Sequence, residues 1–185
     1  MTTCTQARCP PRNPGCVLER LPDGALILVR PIRADDKRML EDGLRHLSDE
    51  SVQRRFLTLK RSFSRAELRY LTEVNGRDHV ALVAEYPGDS VRRLIAAARF
   101  VRLEEDPAAA EAAIVVADDW HRRGLGSVLA EQLAGEARHA GIARFTATMA
   151  SDNVAAHRLM RRLTTHLERR GGGHGVSEMV LDLAA

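Results

Sequence analysis

The stretch IVVADDWHRRGLGSVLA, which runs from Ile114 to Ala130, predicts a strand, a turn and the start of a helix in close succession. Its first residues are small or β-branched, as in a buried strand, and its last residues open a helix expected over 125–139. The turn contains Gly124 and Gly126. A helix start presents unpaired backbone N–H groups and a positive dipole end, and glycines remove side chains that would keep an anion away. The stretch therefore predicts an anion site for which a pyrophosphate is the natural guest.

A Gly-x-Gly turn can also serve three further roles, which differ in what they need from the rest of the sequence. A tight strand-to-helix connection without a ligand needs nothing more, so that alternative stays open. A nucleotide P-loop needs Gly-x-x-x-x-Gly-Lys, which this stretch lacks. A dinucleotide fingerprint needs a third glycine three residues after Gly126, where Leu129 stands, and a parallel strand order. We therefore favour neither of these two nucleotide-binding classes.

The composition of the whole chain limits the classes of function. The 185 residues are 44% apolar and 29% charged, as in a soluble globular domain of ordinary size. No apolar run approaches the roughly 18 residues of a membrane span, and the N-terminus lacks a secretory pattern, so we expect a cytoplasmic protein without membrane association. A net charge of +3 with 4% aromatic residues argues against nucleic acid as a partner.

The N-terminal segment differs from the rest of the chain in composition. It contains the cysteines of the chain, Cys4, Cys9 and Cys16, together with several prolines. Their number is odd, and their spacing matches neither a disulfide framework nor a zinc site, so we expect reduced thiols and no metal. Because apolar periodicity is weak there, residues 1–20 are predicted to form a flexible tail and residues 21–185 one folded domain.

The remaining elements alternate in a way typical of a mixed α/β (α+β) fold. Strand patterns come first as an antiparallel group and later alternate with helices in a β-α-β-α unit. Ser48 is predicted to cap one early helix, and Ser64 with Glu67 forms a capping box for another. The strands are expected at 25–33, 79–86, 93–101, 111–118, 143–150, 165–170 and 177–183, and the helices after Ala34, Ser48, Ser64, Gly124 and Asn153.

Two motifs and the opening of the domain resemble the GNAT superfamily of N-acetyltransferases. The stretch 121–126, HRRGLG, resembles the acetyl-CoA loop of that family, Gln/Arg-x-x-Gly-x-Gly/Ala, with His at the first position. The stretch 153–160, NVAAHRLM, resembles its second signature, Asn-x-x-Ala-x-x-Leu-Tyr, with Met160 in place of the tyrosine. The opening RPIRADDKRML also resembles a GNAT start. The segments RPIRADD, LSDESVQRRFL and AEAAIVVADDWHRRGLG are most similar to the Pat-type bacterial protein lysine acetyltransferases.

The resemblance covers about residues 25–185 and implies a fold and an activity. The implied fold is a single GNAT-like domain with a mixed, mostly antiparallel central sheet flanked by helices and a splayed strand pair at the acetyl-CoA site. The implied enzyme is an N-acetyltransferase that uses acetyl-CoA as co-substrate without a metal and acetylates a primary amine, with protein lysine side chains as the expected acceptor. Two alternatives stay open, a small-molecule amine N-acetyltransferase and a non-catalytic acyl-CoA-binding regulatory module. The oligomeric state, monomer or dimer, stays open as well.

Glu111 is the candidate general base that the resemblance implies. It begins the strand before the loop, 13 residues before Gly124, where many GNAT members place a catalytic glutamate. A lysine-like amine with a pKa of about 10.4 is mostly charged near neutral pH, and making it neutral costs about 4 kcal/mol. A positioned carboxylate can take that proton directly or through water. The alternative for Glu111 is a solvated acid at a strand start.

The residues expected to bind acetyl-CoA lie on the strand, the loop and the next helix. The backbones of the last strand residues should pair with the pantetheine arm like an added strand, and the loop should hold the diphosphate. Asn153 is a candidate for a helix N-cap, a cofactor contact, or both. The predicted set is Val115, Val116, Ala117, Arg122, Arg123, Gly124, Leu125, Gly126, Ser127 and Asn153.

The sequence leaves the remaining chemical roles near the motif open. Because Met160 cannot donate a proton to the leaving thiolate, the candidates for that role are water, Ser151 and His157. Asp118 and Asp119 either contact the incoming amine or are solvated loop acids. The shape of the acceptor cleft separates the two enzyme hypotheses, because a shallow acidic cleft favours protein substrates and a deep closed pocket favours a small amine.

Overall fold

A computed structural model of the protein describes residues 15–88, 91–164, 166–173 and 175–183. The strands are β1 (Val17–Arg20), β2 (Leu26–Pro31), β3 (His79–Glu85), β4 (Leu94–Arg102), β5 (Ala109–Val116), β6 (Arg144–Ala150), β7 (Leu167–Gly171) and β8 (Val176–Asp182). The helices are α1 (Lys37–Arg45), α2 (Asp49–Phe56), α3 (Arg65–Thr72), α4 (Leu125–His139) and α5 (Val154–Leu163), with short 3-10 turns at Ala34–Asp36 and Asp118–Trp120.

The described residues form an 8-stranded sheet in the order β1-β2-β3-β4-β5-β6-β8-β7. Every neighbouring pair is antiparallel except β5 and β6, which are parallel and are joined through α4. This arrangement confirms the predicted mixed, mostly antiparallel sheet flanked by helices. The helix expected over 125–139 is also confirmed, because α4 begins directly after Gly124 and ends at His139.

The prediction of a flexible tail reaching residue 20 is wrong for its last residues. Val17–Arg20 form β1, which pairs antiparallel with β2 from Val17–Val29 to Arg20–Leu26. Four residues are too short for a periodicity to be seen in the sequence, and the strand exists because it completes the edge of β2. Residues 1–14, with Cys4 and Cys9, lie outside the described residues. Among those described, Cys16 is a free thiol.

The helix starts follow the caps predicted from the sequence. The Ser48 hydroxyl accepts a hydrogen bond from the Ser51 backbone N–H (3.2 Å) at the first turn of α2. At α3, the Ser64 hydroxyl accepts from the Glu67 N–H (3.2 Å), and the Glu67 carboxylate accepts from the Ser64 N–H (2.8 Å), which completes the capping box. Each bond satisfies a donor that the helix itself leaves unpaired, so the local sequence sets where α2 and α3 begin.

Each face of the sheet carries its own apolar layer. On one face, α4 packs its buried side, which includes Leu129, against Phe100 of β4 and Phe145 of β6. On the other face, α1 and α3 cover a smaller cluster that contains Ile32 and Val83. Consecutive residues of a strand point to opposite faces, so each position along β4, β5 and β6 faces either α4 or the α1–α3 side.

A buried ion cluster joins the start of the first helical segment to the sheet. Arg30 of β2 is 1% exposed and forms ion pairs with Asp36 (2.7 Å) and with Glu85 of β3 (2.5 Å). Arg92 covers the cluster by donating to both oxygens of Glu85, each at 2.9 Å. Because every charged group there has a partner, the cluster orders the turn that leads from β2 into α1.

The parallel pair β5–β6 separates after a short contact. Its register joins Ala109–Glu111 to Arg144–Thr146 and ends there. Beyond that point β5 stays paired with β4 as far as Val116, and β6 stays paired with β8 as far as Ala150. The two strands therefore diverge, which confirms the expected splayed pair and opens a wedge in the middle of the sheet.

Two features are absent from the described part of the chain. No helix there is long and apolar enough to cross a bilayer. No group of three or more His, Cys, Asp or Glu side chains in those residues is arranged to hold a metal ion.

Candidate functional site: the cleft between β5 and β6

The wedge between β5 and β6 forms a large cleft, with a volume of about 1300 Å³. One wall is the free edge of β5 together with the turn that leads into α4. The other wall is formed by the second half of β6 and by residues of α5. α2 lies across the mouth of the cleft because it packs on both β5 and β6. The space is long and open, as an extended ligand with a polar end requires.

The predicted anion site lies at the start of α4. Within the described residues, the backbone N–H groups of 123–126 have no acceptor, whereas those of Ser127 and Val128 donate to the Gly124 carbonyl at 3.0 and 3.2 Å. The unpaired N–H groups stand at the positive end of a 15-residue helix. The turn therefore offers free donors at a position where an anion can bind.

The backbone of Gly124 explains why a glycine stands there. Its φ is +90°, in the left-handed region, and a Cβ at this position would lie 3.0 Å from Cδ of Pro22. Both the dihedral angle and the contact therefore exclude a larger residue. At Gly126 the reason is milder, because a Cβ would meet Cγ2 of Val116 at an ordinary 3.7 Å.

The two arginines of the motif point to different environments. Arg122 is exposed and lines the cleft. Arg123 donates to the carboxylate of Asp23 at 2.5 Å, and its guanidinium lies 3.9 Å from the ring centre of Trp120. Trp120 is 4% exposed, so its ring packs in the core beside the turn. Arg123 therefore links the turn to the β1–β2 hairpin through its ion pair with Asp23. Arg122 is the arginine of the motif that lines the cleft.

The backbone of β5 offers fewer groups to the cleft than the sequence predicted. Ala117 donates its N–H to the Ile95 carbonyl (2.9 Å) and accepts from the Trp120 N–H (2.9 Å), so both of its backbone groups are already bonded. Consecutive residues of a strand point their backbone groups to opposite sides, and residues two apart point to the same side. Val115 therefore faces β4, as Ala117 does. Val116 faces the cleft, where its carbonyl accepts from His121 Nε2 at 2.9 Å.

The side of the cleft formed by α5 carries cations that sequence reasoning missed. Arg162 donates to the Ser127 hydroxyl at 3.2 Å and so stands beside the start of α4. Arg158 and Arg161 line the cleft from the same helix. Their spacing of three and four residues places them on neighbouring positions of one helix face, and that spacing was the signal available in the sequence. Asn153 caps this helix by accepting the Ala156 N–H at 3.1 Å.

The position where the family commonly has a tyrosine holds a buried thioether. Met160 is 6% exposed and lines the cleft. Neither sequence candidate for a replacement proton donor is part of the cleft lining. Ser151 instead bonds Ser177 at 2.8 Å, at the far end of β6, and His157 lies on another face of α5. Water is therefore the candidate that remains.

Glu111 lies at the point where the strands separate. It pairs with Thr146 in the last step of the parallel ladder, and its side chain is exposed and lines the cleft. Its neighbours Ala110 and Ala112 pack into the core on the α4 face. The alternation of a strand therefore directs Glu111 to the face that α1–α3 cover. Within the described residues it forms no ion pair.

Asp118 and Asp119, in the loop after β5, bond to residues of other elements. Asp118 accepts from the Ser48 N–H (2.8 Å), the Ser48 hydroxyl (2.9 Å) and the Ser51 hydroxyl (2.6 Å). Asp119 pairs with Arg93 at 2.6 Å. Asp118 thereby joins the end of β5 to the first turn of α2, and both carboxylates already have partners within the described residues.

Comparisons with known proteins identify relatives of this chain. Residues 44–179 match the acetyltransferase (GNAT) family. Acetyltransferase Pat of Mycolicibacterium smegmatis is 36% identical over 140 residues, which are 76% of this chain and 41% of that protein. An acetyltransferase of Pseudomonas aeruginosa is 32% identical over 146 residues, which are 79% of this chain and 76% of that protein.

Solved structures show the same fold. The GNAT domain of S. lividans PAT has a TM-score of 0.81 at 28% identity and covers 91% of this chain and 97% of that domain. A cAMP-binding acyltransferase from Mycobacterium smegmatis has a TM-score of 0.63 at 29% identity and covers 92% of this chain and 48% of that one. This chain thus spans less than half the length of the acyltransferase and of Pat.

The family match includes the elements that form the cleft. Residues 44–179 contain β5, the glycine turn, α4, β6 and α5, along with Glu111 and Asn153. A relative that is 32% identical across 79% of the chain supports the same assignment. This chain therefore belongs to the GNAT family of acetyltransferases.

Proposed function

We propose that this chain is an acetyl-CoA-dependent N-acetyltransferase that acts on lysine side chains of proteins, with Glu111 as the general base. The observation that carries the proposal is the position of Glu111 opposite Thr146, at the point where β5 and β6 separate and the cleft begins. Membership of the GNAT family supports acetyl transfer. The resemblance to Pat-type enzymes, with Pat itself 36% identical, supports a protein lysine as acceptor.

The start of α4 fits the diphosphate of acetyl-CoA. The unbonded N–H groups of 123–126 and the helix dipole favour an anion. Arg122 and Arg162 would add charge-assisted hydrogen bonds, and the Ser127 hydroxyl lies beside them. A Salmonella typhimurium protein solved with its cofactor acetyl-CoA shares this fold, with a TM-score of 0.63 at 19% identity.

The edge of β5 fits the amides of the pantetheine arm. Val116 is the backbone position directed into the cleft, and its carbonyl keeps a second lone pair beside the His121 bond. Val115 would contribute through its side chain, because its backbone faces β4. An extended chain with amide groups can pair with this edge because β6 has moved away from it.

The chain's own contribution to the chemistry is to bring a neutral amine to the cleft. Bound acetyl-CoA supplies the acetyl group as an activated thioester. Glu111 accepts the proton of the lysine ammonium, directly or through one water, and so provides the neutral amine that attacks. At neutral pH the cost of deprotonating a free lysine is about 4 kcal/mol, which a positioned base reduces. Met160 carries no proton to give, so the thiolate takes its proton from water.

The test is a matched pair of carboxylate variants assayed with a pool of lysine peptides. Glu111→Gln should lower kcat/KM by about 10²- to 10⁴-fold, as the loss of a general base does. Its dissociation constant for acetyl-CoA, measured by calorimetry, should stay within about twofold. Glu105→Gln is the control, because Glu105 is an exposed acid in the loop before β5. It should leave both quantities unchanged.

Each alternative gives a different outcome. If wild-type protein binds acetyl-CoA but acetylates no amine, the chain is an acyl-CoA-binding module and the enzyme proposal fails. If only small amines are acetylated, the acceptor class is wrong. If Glu111→Gln retains full kcat/KM, Glu111 is not the base.

A further inference from the structure

Arg55 lies at the mouth of the cleft. Within the described residues, no carboxylate forms an ion pair with its side chain. It lies on α2, is partly buried and lines the cleft. Its guanidinium carbon lies 4.9 Å from the ring centre of Phe56, and no hydrogen bond joins its side chain to another described residue. Burial lowers the pKa of Arg55, and the charge of Glu111 opposes that shift. Arg55 and Glu111 therefore lie within electrostatic reach of each other.

A second arginine lies behind the first, on the same face of the sheet. Arg99 of β4 is 8% exposed. It donates to the Leu71 carbonyl at 3.0 Å and contacts His79 Nε2 at 3.2 Å. Both partners are neutral, since burial and the charge of Arg99 lower the pKa of His79 to about 4. Burial, and then the charge of Arg55, lowers the pKa of Arg99 to about 10. At neutral pH Arg99 is thus a buried cation to which no carboxylate of the described residues is bound.

The end of the cleft near Glu111 and α2, where we propose that the amine acceptor binds, is called the acceptor end. The charges around it do not balance. Arg55 and Arg99 are positive and Glu111 is a carboxylate, while the lowered pKa of His79 leaves its ring neutral. The other charged residues of α2 at the cleft, Glu50 and Arg54, neutralise each other at 2.5 Å. A desolvated cation without a counter-ion is unfavourable. The acceptor end therefore favours a ligand that brings negative charge of its own.

We propose that the acceptor lysine is flanked by an aspartate or glutamate, whose carboxylate binds Arg55 while the lysine amine meets Glu111. This inference rests on the proposed function, because it specifies the substrate class of the same site. A guanidinium with free donors is the group best suited to a carboxylate, which it binds through two parallel hydrogen bonds. Arg99 strengthens the positive potential behind Arg55. The same charges repel polyamines and lysines within basic sequences.

The experiment compares peptides that differ only in the residues next to one lysine. Peptides with blocked termini carry Asp or Glu, Ala, or Arg on both sides of that lysine, and kcat/KM is measured for each. Wild-type protein should prefer the acidic set over the alanine set by about tenfold, the usual size of a partly exposed charge-assisted pair. The preference should shrink at high salt because screening weakens it. Free lysine and its decarboxylated analogue cadaverine test whether the carboxylate can come from a small amine.

Variants of Arg55 test whether that side chain causes the preference. Arg55→Gln should reduce the ratio of kcat/KM between the acidic and alanine sets to within about twofold, and Arg55→Lys should restore part of it. Arg45→Gln is the charge-matched control, because Arg45 is exposed on α1 and pairs with Asp42 there. It should keep the full preference. Acetyl-CoA binding and thermal unfolding confirm that each variant is folded.

The outcomes distinguish this inference from the proposed function beneath it. Equal kcat/KM for the three peptide sets, a preference for basic flanks, or a preference that survives Arg55→Gln would overturn the inference and leave protein-lysine acetylation intact. Acetylation of no peptide at all would overturn the proposed function. Acetylation of free lysine but of neither cadaverine nor peptides would overturn both the inference and the proposed function. In that case the arginines would bind the carboxylate of a small amino acid.

Discussion

Asp118 accepts hydrogen bonds from both the backbone N–H (2.8 Å) and the hydroxyl (2.9 Å) of Ser48, which caps α2. The loop that follows β5 thereby holds the helix that carries Arg55. A third bond comes from the Ser51 hydroxyl at 2.6 Å. Burial raises the pKa of Asp118, but the bonds from Ser51 and Ser48 outweigh it and leave that pKa below its ordinary value. The position of α2 over the cleft thus depends on one ionised carboxylate.

Asp118→Ala should loosen this connection. We expect a loss of about 1–3 kcal/mol in the free energy of unfolding, because Ser48 and Ser51 lose their acceptor. The KM for a lysine peptide should rise more than that for acetyl-CoA, since α2 lies at the end of the cleft where we propose that the acceptor binds. Urea denaturation and steady-state kinetics measure both effects. Asp119→Ala is the control, because Asp119 forms an exposed pair with Arg93, and it should cost less than about 1 kcal/mol. Equal effects of the two substitutions would contradict this account.

Replacement by alanine should change the stability of the protein in opposite directions at Gly124, which precedes α4, and at Gly135, within α4. Gly124→Ala forces a side chain into a left-handed backbone with Pro22 at 3.0 Å, so it should destabilise the protein by about 1–2 kcal/mol. It should also weaken acetyl-CoA binding about tenfold, because the N–H groups of the turn shift. Gly135 has open space around its Cβ position in the middle of the helix. Gly135→Ala should stabilise by about 0.5–1 kcal/mol and leave binding unchanged. Calorimetric titration and thermal unfolding provide the readouts, and unaltered binding by Gly124→Ala would count against the anion site.

The two arginines of the turn should separate binding from stability. Arg122→Gln should raise the dissociation constant for CoA by about tenfold at low salt and by less at high salt, because it removes a charge from the cleft. Arg123→Gln should instead lower the free energy of unfolding by about 1 kcal/mol, through loss of the Asp23 pair and the contact with Trp120. Calorimetry at two salt concentrations checks the first expectation, and urea denaturation checks the second. The assignment fails if Arg123→Gln proves to be the variant that loses affinity.

The buried ion cluster should make the fold sensitive to acid. Burial raises the pKa of Asp36 and of Glu85, but the hydrogen bonds and charge of Arg30, with those of Arg92 at Glu85, leave both pKa values lowered. A lowered carboxylate pKa stabilises the folded state above the unfolded values of 3.8 and 4.5, and this contribution is lost as the pH falls through the lower folded values. Urea midpoints should therefore drop as the pH falls from about 5 to about 3, a window set by these directions.

Substitution at this cluster checks the same account at neutral pH. Asp36→Ala leaves Arg30 buried with one carboxylate fewer and should cost about 3–5 kcal/mol. Its unfolding should also depend less on acid than that of the wild type. Asp42→Ala removes an exposed carboxylate that pairs with Arg45, and it should cost less than about 1 kcal/mol. A mild effect of Asp36→Ala would show that the cluster is dispensable.

Local features of this fold followed closely from the sequence. The capping residues Ser48 and Ser64 act within one helical turn, so their effect does not depend on the rest of the protein. The glycine turn before α4 is equally local, because it depends on the backbone freedom of Gly124. The strand pattern of β5 also placed Glu111, since the alternation of a strand sets the face to which each side chain points.

Features that join distant parts of the chain did not follow from the sequence. Arg123 meets Asp23 across 100 residues, so no local pattern could separate its role from that of Arg122. β1 is too short to show a period, and it exists because β2 offers a free edge. The bonds of Ala117 to Ile95 and Trp120 depend on the register of β4, and they engage both backbone groups of a residue predicted to face the cofactor.

The sequence alone determined the family, the glycine turn before α4 and the place of a carboxylate on β5, because these depend on neighbours within a few positions. Only the tertiary structure decided which charges surround that carboxylate. Arg55 and Arg99 come from separate elements, and the packing of α2 on the sheet brings their charges into mutual reach. Electrostatic interactions act through space and not along the chain, so the charge of the acceptor end appears only when the helices are packed on the sheet.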